Sequence, residues 1–242
     1  MNNIISKPHV VIVGAAGGIG YALTKKILSD YKLTLIVRNK DKFSSIDKKE
    51  INIIEFDVLQ FDNIAKILEN AVEINGKISS LIYCVGIQLI KPLRNFTTKE
   101  IQNIINTNLI SAIIFAKEMS SNRLSNANSI FCAISSTAAK KPEPAIIPYS
   151  ISKAALENMI KGLSMEIPQK KFIGVAPGWL DTKMTRSFSH VYDSSFKKNL
   201  LEKSTEGIAT VDTVADLIIG LIKEEYNCSN GEIVSMESAQ KK

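Results

Sequence analysis

Cysteine is scarce in this sequence. The 242 residues include three, Cys84, Cys132 and Cys228, an odd number set far apart in apolar or loop stretches. Small secreted proteins depend on closely spaced, paired cysteines, whereas isolated thiols are typical of a reducing compartment. The pattern excludes a disulfide-based scaffold and predicts free thiols that are buried or incidental.

Long apolar runs are also absent. No stretch approaches the roughly 20 consecutive apolar residues that cross a bilayer. Residues 1–9 lack the apolar segment of a signal peptide and lead directly into a strand-like run that begins at Val10. We therefore expect no membrane association and a cytoplasmic location.

The net charge of +6 is not gathered into a binding motif. The lysines are scattered in short groups, without interleaved aromatic side chains or a known nucleic-acid motif. Scattered charge of this kind is typical of a solvated surface. We predict neither a nucleic-acid partner nor a metal site.

Strand-like and helix-like segments alternate along the whole chain. The strand-like segments are residues 10–13, 33–37, 51–56, 78–85, 129–134, 171–176 and 232–235. Strands that alternate with helices form a parallel sheet covered on both faces. The sequence thus predicts an α/β fold, with one doubly wound domain spanning residues 1–242. The polar segment 183–205 is predicted to be a flap on the substrate side.

A glycine-rich turn, Gly14-Ala-Ala-Gly17-Gly18-Ile19-Gly20, joins the first strand to a helical segment. Glycine permits a tight turn close to a ligand, and a helix N-terminus offers N–H groups and a positive dipole end to a pyrophosphate. The spacing differs from the commoner G-x-G-x-x-G fingerprint. A plain tight turn is the simpler explanation, but the flanking strand and helix favour phosphate binding.

Arg38 follows the second strand, where dinucleotide-binding folds place a residue that contacts the adenosine ribose. An acidic residue there accepts from the ribose hydroxyls of NAD, whereas an arginine pairs with the 2′-phosphate of NADP. Arg38 therefore favours NADP(H) over NAD(H). The alternative is that Arg38 is a solvent-facing residue at the strand end.

Tyr149 and Lys153 lie four residues apart in a segment with helical periodicity, and Ser136 follows a buried strand thirteen residues before Tyr149. Residues four apart share one face of a helix. A nearby cation favours the phenolate and lowers the phenol pKa from about 10, which produces a usable general acid/base. Such a pair also arises by chance, so the rest of the chain must support this interpretation.

These motifs together resemble the short-chain dehydrogenase/reductase family over nearly the whole chain. Besides the turn and the Ser136, Tyr149, Lys153 set, the resemblance includes Asp57-Val58 after the third strand, Asn108 within Asn106-Thr-Asn-Leu109, and Pro177-Gly178 with Thr182. One motif would be weak, but six in the right order and spacing are specific. The resemblance implies a single Rossmann-type domain with a mostly parallel seven-stranded sheet flanked by helices.

The family pattern also implies the site residues. The catalytic set would be Asn108, Ser136, Tyr149 and Lys153. The cofactor-binding set would be Gly14, Ala16, Gly17, Gly18, Ile19, Gly20, Arg38, Asp57, Val58, Val85, Gly86, Asn108, Tyr149, Lys153, Pro177, Gly178 and Thr182.

The implied activity is NADP(H)-dependent interconversion of a carbonyl and a secondary alcohol. Tyr149 would transfer the proton, Ser136 would hydrogen-bond the substrate oxygen, and Asn108 would hold a water that links Lys153 to solvent. The segment from Val175 to Thr185 most resembles the 3-oxoacyl-carrier-protein reductase branch. The family is usually dimeric or tetrameric, so a homo-oligomer acting on a small-molecule substrate is expected.

Two other functions remain open. The same fold could serve a sugar, polyol or other alcohol dehydrogenase, because fold does not fix the substrate. A non-enzymatic NADP-binding sensor is the second alternative, and Tyr83-Cys84-Val85, where the family has Asn-Asn-Ala, mildly favours it. Val13 likewise replaces the usual threonine. We expect these departures to alter stability or cofactor affinity.

Overall fold

Seven parallel strands form one sheet in the computed structural model, which describes residues 7–44, 51–178, 180, 209–236 and 238–239. The spatial order is β3-β2-β1-β4-β5-β6-β7, and each pair of neighbours is parallel. The strands are β1 (His9–Val13), β2 (Lys32–Val37), β3 (Ile51–Glu55), β4 (Ile78–Tyr83), β5 (Ser125–Ile134), β6 (Lys171–Ala176) and β7 (Ile233–Ser235). The predicted fold class is confirmed, and the sheet is wholly rather than mostly parallel.

Helices cover both faces of this sheet. Within the described ranges they are α1 (Gly18–Ile27), α2 (Ile64–Asn75), α3 (Thr98–Ile105), α4 (Ser111–Met119), α5 (Ile147–Glu166) and α6 (Val211–Ile222). The apolar periodicity of the sequence over 98–119 predicts one continuous helix. The structure instead inserts a π-helical turn, Asn106–Ile110, between α3 and α4, and we call it the π-turn.

The core consists of two apolar layers, one on each face of the sheet. Along β1, Val10 and Ile12 enter the layer that includes α1 and α6, while Val11 and Val13 enter the layer that includes α2, α4 and α5. Every residue of β1 is buried. Parallel strands buried on both faces show continuous apolar runs, which explains why the strands were readable from the sequence.

The strand order reverses at β1, which pairs with β2 on one side and β4 on the other. In open parallel sheets, ligands bind in the crevice beyond the carboxyl ends of the strands at such a switch point. The loops that follow β1, β2, β4, β5 and β6 therefore define where a site would lie.

Two predictions fall on parts of the chain outside this description. The flap at 183–205 and the residue Thr182 both lie outside the described residues. In the ranges that are described, no helix combines the length and the apolar character needed to cross a bilayer.

Candidate active site

The glycine-rich turn after β1 depends on two positions that only glycine fits. Gly14 has φ of +81°, in the left-handed region that other residues rarely adopt. A Cβ at Gly20 would lie 2.6 Å from the carbonyl oxygen of Gly14. Because Gly17 is the N-cap of α1, no side chain caps the first helical turn, whose N–H groups have no partner within the helix. These residues fit a pyrophosphate at the N-terminus of α1.

The rest of the turn is open enough for a ligand to approach. Gly17 and Gly18 are exposed, while Ala16 and Ile19 are half-buried against the core layer of α1. The two exposed residues stand at the N-terminus of the helix, and the two apolar side chains anchor the turn beneath them.

Two cations stand near this turn. Arg38 is exposed and directly follows β2. Lys42 lies in the 3-10 turn Asp41–Phe43, donates to the carbonyl oxygen of Ala16 at 2.8 Å, and has its Nζ 4.1 Å from the centre of the Tyr21 ring. The sequence pattern does not single out Lys42, because it lies in a lysine-rich stretch that is typical of a solvated surface. The signal that was available is its spacing of four residues from Arg38.

Asp57 and Val58 lie in the turn that follows β3. The Asp57 carboxylate is exposed and accepts from the N–H of Leu59 at 3.0 Å, while the Val58 side chain is buried in the core. The turn lies at the carboxyl edge of the sheet, and the Asp57 carbonyl also accepts from the N–H of Gln60 at 3.0 Å. A contact of this pair with the adenine stays a prediction.

Asn108 lies in the π-turn and is fully buried. Its Oδ1 accepts from the N–H of Ile87 at 2.8 Å, and its Nδ2 donates to the Ile87 carbonyl at 2.9 Å and to Oγ of Ser152 at 3.0 Å. The side-chain amide thus clamps the backbone that follows β4, a task that the sequence did not predict. The water relay from Lys153 stays a prediction.

Val85 and Gly86 connect β4 to that clamp. A Cβ at Gly14 would lie 2.9 Å from Cγ2 of Val85, and a Cβ at Gly86 would lie 3.3 Å from Nζ of Lys153. The segment is therefore packed against the glycine turn at one point and against the lysine ammonium at the next.

Lys153 and Tyr149 both lie on α5. The Lys153 side chain is 2% exposed, and its ammonium donates to the Ile134 carbonyl at 2.7 Å. Burial lowers the pKa of Lys153 to about 8. Its Nζ lies 5.9 Å from the centre of the half-buried Tyr149 ring. This arrangement places a positive charge close to the phenol.

Ser136 follows β5 and is half-buried at the same edge. Its Oγ accepts from the N–H of Ala138 at 3.2 Å, and a hydroxyl that accepts in this way can still donate its own proton. The residues on either side of Ser136 are fixed by hydrogen bonds. Ser135 donates to the Glu157 carboxylate on α5 at 2.8 Å, and the N–H of Thr137 donates to the Pro177 carbonyl at 3.4 Å.

Pro177 and Gly178 follow β6. Pro177 is buried, whereas Gly178 is exposed, and a Cβ placed on Gly178 would meet no atom of the described residues within 4 Å. Together, the carboxyl ends of β1, β4, β5 and β6 surround one region, with the glycine-rich turn on one side and the tyrosine and lysine on the other.

This combination has a counterpart among known families. The family model described as short chain dehydrogenase matches residues 8–193, which is more than half of the chain. The chain belongs to the short-chain dehydrogenase family. The predicted family and the predicted enzyme class, an NAD(P)-dependent oxidoreductase, are confirmed.

Two curated relatives of this short-chain dehydrogenase align along nearly its full length. The 3-oxoacyl-acyl-carrier-protein reductase of Buchnera aphidicola is 24% identical over 236 residues, covering 95% of each chain. The gluconate 5-dehydrogenase of Gluconobacter oxydans is 23% identical over 244 residues, covering 96% of this chain and 94% of the relative.

Solved structures with the same fold include two with a bound nucleotide. The protein ElxO with NADP bound has a TM-score of 0.84 at 24% identity, covering 95% of this chain and 97% of that one. A gluconate 5-dehydrogenase of Burkholderia cenocepacia, in complex with NADP and tartrate, has a TM-score of 0.85 at 21% identity, covering 96% and 94%. At these sequence identities, the similarity to the two structures shows the fold alone.

The departures from the family pattern are accommodated within the short-chain dehydrogenase core. Tyr83 is fully buried, and its ring packs on Phe115 with centroids 5.8 Å apart. Burial raises the pKa of the Cys84 thiol to about 12, so the thiol stays neutral beside Lys153. Neither residue introduces a new charge into the site.

Proposed function

We propose that this short-chain dehydrogenase is an NADP(H)-dependent enzyme that interconverts a carbonyl and a secondary alcohol, with Tyr149 as the general acid/base. The observation that carries the proposal is the position of Lys153. Its buried ammonium lies near the Tyr149 ring and is fixed there by the Ile134 carbonyl.

Lys153, Tyr149 and Ser136 would each have a separate role in the transfer of the proton. The positive charge of Lys153 favours the phenolate form of Tyr149, so this phenol can give up a proton to the developing alkoxide. Ser136 donates a hydrogen bond to the same oxygen and stabilises its charge as it forms. When bound, the nicotinamide supplies or accepts the hydride.

The N-terminus of α1 and the residues around it would hold the cofactor. The pyrophosphate would lie against the exposed Gly17 and Gly18, and the 2′-phosphate of NADP(H) against Arg38 and Lys42. The nicotinamide end would lie toward Gly178 and Lys153. The NADP seen in two proteins of the same fold supports the choice of cofactor.

Replacing Arg38 by alanine tests the cofactor preference. We expect the Kd for NADPH to rise about tenfold or more, because a charge-assisted bond to the 2′-phosphate is lost. The Kd for NADH, which lacks that phosphate, should change less than about twofold. Nicotinamide fluorescence during titration measures both constants.

Arg123→Ala is the matched control, since Arg123 pairs with Glu69 at 2.6 Å just before β5, at the opposite edge of the sheet. It should change neither Kd. A wild-type protein that binds NADH more tightly than NADPH would overturn the cofactor preference and leave the fold unaffected. Binding of neither nucleotide would overturn the proposed function itself.

The substrate is a small carbonyl or alcohol, and two classes have support. The Buchnera relative is named a 3-oxoacyl-acyl-carrier-protein reductase, and the Gluconobacter relative is named a gluconate 5-dehydrogenase, at nearly equal identity. We propose the 3-oxoacyl class first, because the segment after β6 resembles it. A panel of 3-oxoacyl thioesters and keto sugars separates the two classes, and binding without turnover of either class would favour the sensor.

A homo-oligomer forming through the face of α4 and α5 is also part of the proposal. Ile113 on α4 is 39% exposed, and Ile151 and Met165 on α5 are 56% and 83% exposed. Large apolar side chains left in water on adjoining elements favour burial against another copy. Light scattering should give the mass of a dimer or tetramer. Ile151→Glu should shift the mass toward that of the monomer, and a monomeric wild type would contradict this proposal.

A cytoplasmic location is proposed as well, supported by three cysteines that are all free.

A further inference from the structure

The hydroxyl of Tyr83 reaches the π-turn from the end of β4. It donates to the carbonyl oxygen of Thr107 at 2.7 Å and also contacts Oγ of Ser111. Oγ of Ser111 lies 2.8 Å from the same carbonyl oxygen, and its single proton is donated either to that oxygen or to the Tyr83 hydroxyl. Both side chains are fully buried, so these three groups form a closed polar triangle inside an apolar layer.

This triangle fixes the backbone on one side of Asn108. A π-turn interrupts the regular i→i+4 hydrogen bonding of an α-helix, and a backbone carbonyl there needs another partner. Thr107 immediately precedes Asn108, so its carbonyl bond to Tyr83 ties the turn from which the Asn108 side chain projects to the end of β4. Ser111 alone cannot do this, because it belongs to the same helix.

The same five-residue segment of chain is tied to the π-turn at both ends. Tyr83 binds the turn through its hydroxyl, and Ile87 binds it through the two hydrogen bonds with Asn108. Between them lies Gly86, whose Cα hydrogens face Nζ of Lys153, as the 3.3 Å distance of an added Cβ indicates. A shift at either end therefore moves the surface against which the lysine ammonium rests.

We propose that Tyr83 is a positioning residue for the active site: its hydroxyl holds the π-turn against β4 and so places Asn108 and the Gly86 backbone beneath Lys153. The role of Lys153 in turnover rests on the proposed function. In this chain the tyrosine stands where the related motif has asparagine, and the ring fills the space beside Phe115 while the hydroxyl spans the gap to the helix.

The variant Tyr83→Phe isolates the hydroxyl. The ring still packs on Phe115, and Ser111 still satisfies the Thr107 carbonyl, so no buried group is left without a partner. Hydrogen exchange of the peptides that cover 84–91 and 106–111 should speed up about fivefold, the factor expected for one lost hydrogen bond. The kcat should fall about tenfold with a smaller change in KM for NADPH, and its pH profile should shift.

Ser129→Ala is the matched control for loss of a buried hydroxyl. Ser129 lies in β5, is 1% exposed and donates to Ser125 at 3.1 Å, away from the π-turn. It should lower the melting temperature about as much as Tyr83→Phe does and leave the kcat pH profile and both exchange rates unchanged.

The outcomes separate this proposal from the proposed function. Unchanged exchange in the two peptides, or a Tyr83→Phe enzyme with wild-type kcat and pH profile, would overturn the positioning role. A wild-type protein without reductase activity would refute the proposed function, and the exchange rates would still decide whether Tyr83 holds the π-turn.

Discussion

Replacing Tyr149 by phenylalanine should lower kcat for NADPH-dependent carbonyl reduction by about 10²- to 10⁴-fold, the range that a positioned general acid contributes. The ring keeps its place near Lys153, while the proton that neutralises the developing alkoxide has no donor. The Kd for NADPH should stay within about threefold, because the change removes one oxygen atom and leaves the glycine turn, Arg38 and Lys42 intact. Stopped-flow or steady-state loss of NADPH absorbance measures the first quantity, and fluorescence titration the second.

Tyr31→Phe is the control for this change. Tyr31 is 8% exposed and directly precedes β2, at the amino edge of the sheet, so the same atom is removed on the side away from the site. We expect it to retain wild-type kcat. A Tyr149→Phe variant with wild-type kcat would refute the role of Tyr149 as general acid/base, whatever its affinity for NADPH.

Replacing Lys153 by methionine should abolish most turnover and yet stabilise the fold. The ammonium is buried and, among the described residues, is hydrogen-bonded to the Ile134 carbonyl rather than to a carboxylate. A pKa lowered from 10.5 to about 8 corresponds to roughly 3 kcal/mol lost at neutral pH. The variant loses the hydrogen bond to the Ile134 carbonyl, which contributes about 1 kcal/mol. We therefore expect its free energy of unfolding to exceed that of the wild type by about 2 kcal/mol.

The pH dependence gives this prediction a second test. Below pH 8 both the folded and the unfolded wild type carry the lysine proton, so the full penalty is present. Between pH 8 and 10.5 only the unfolded state holds that proton, and the free energy of unfolding of the wild type rises with pH. The advantage of Lys153→Met should therefore shrink across this window in urea-unfolding measurements.

Lys161→Met controls for the exchange of residue types. Lys161 is exposed on α5, eight residues after Lys153, and surface substitutions usually change stability by less than about 0.5 kcal/mol. A Lys153→Met protein that is less stable than wild type at neutral pH would show that the buried charge is compensated, and the electrostatic account of the site would fail.

The elements that were predictable from the sequence are those with abrupt ends. The bounds of β6 agree with the strand-like segment 171–176 because Pro177 stops the strand. The apolar periodicity over 211–222 likewise predicts α6, which begins directly after Thr210, whose Oγ1 accepts from the N–H of Thr213. The order of motifs likewise located the glycine turn and the residues on α5, since each depends on a short local spacing.

The remaining features depend on contacts that local patterns do not encode. An apolar periodicity of 3.6 over 98–119 is hardly disturbed by one irregular turn, so the π-turn was missed. β5 begins at Ser125 rather than Ser129, because Lys170 secures its polar start with bonds to Ser125 and to the Asn126 carbonyl. The sequence shows Tyr83 only as a replacement for the asparagine of the family motif. Its hydrogen bond to the Thr107 carbonyl, 24 residues away, is visible only in the structure.

The wholly parallel sheet also governs the order in which this protein can fold. No two neighbouring strands can pair as a hairpin, so every strand contact must wait for an intervening stretch of chain to close, and folding is slow in consequence. The site draws on the ends of β1, β4, β5 and β6, whose residues span 9–176. The glycine turn, Ser136 and the residues on α5 therefore come together only after strands from distant parts of the chain have paired.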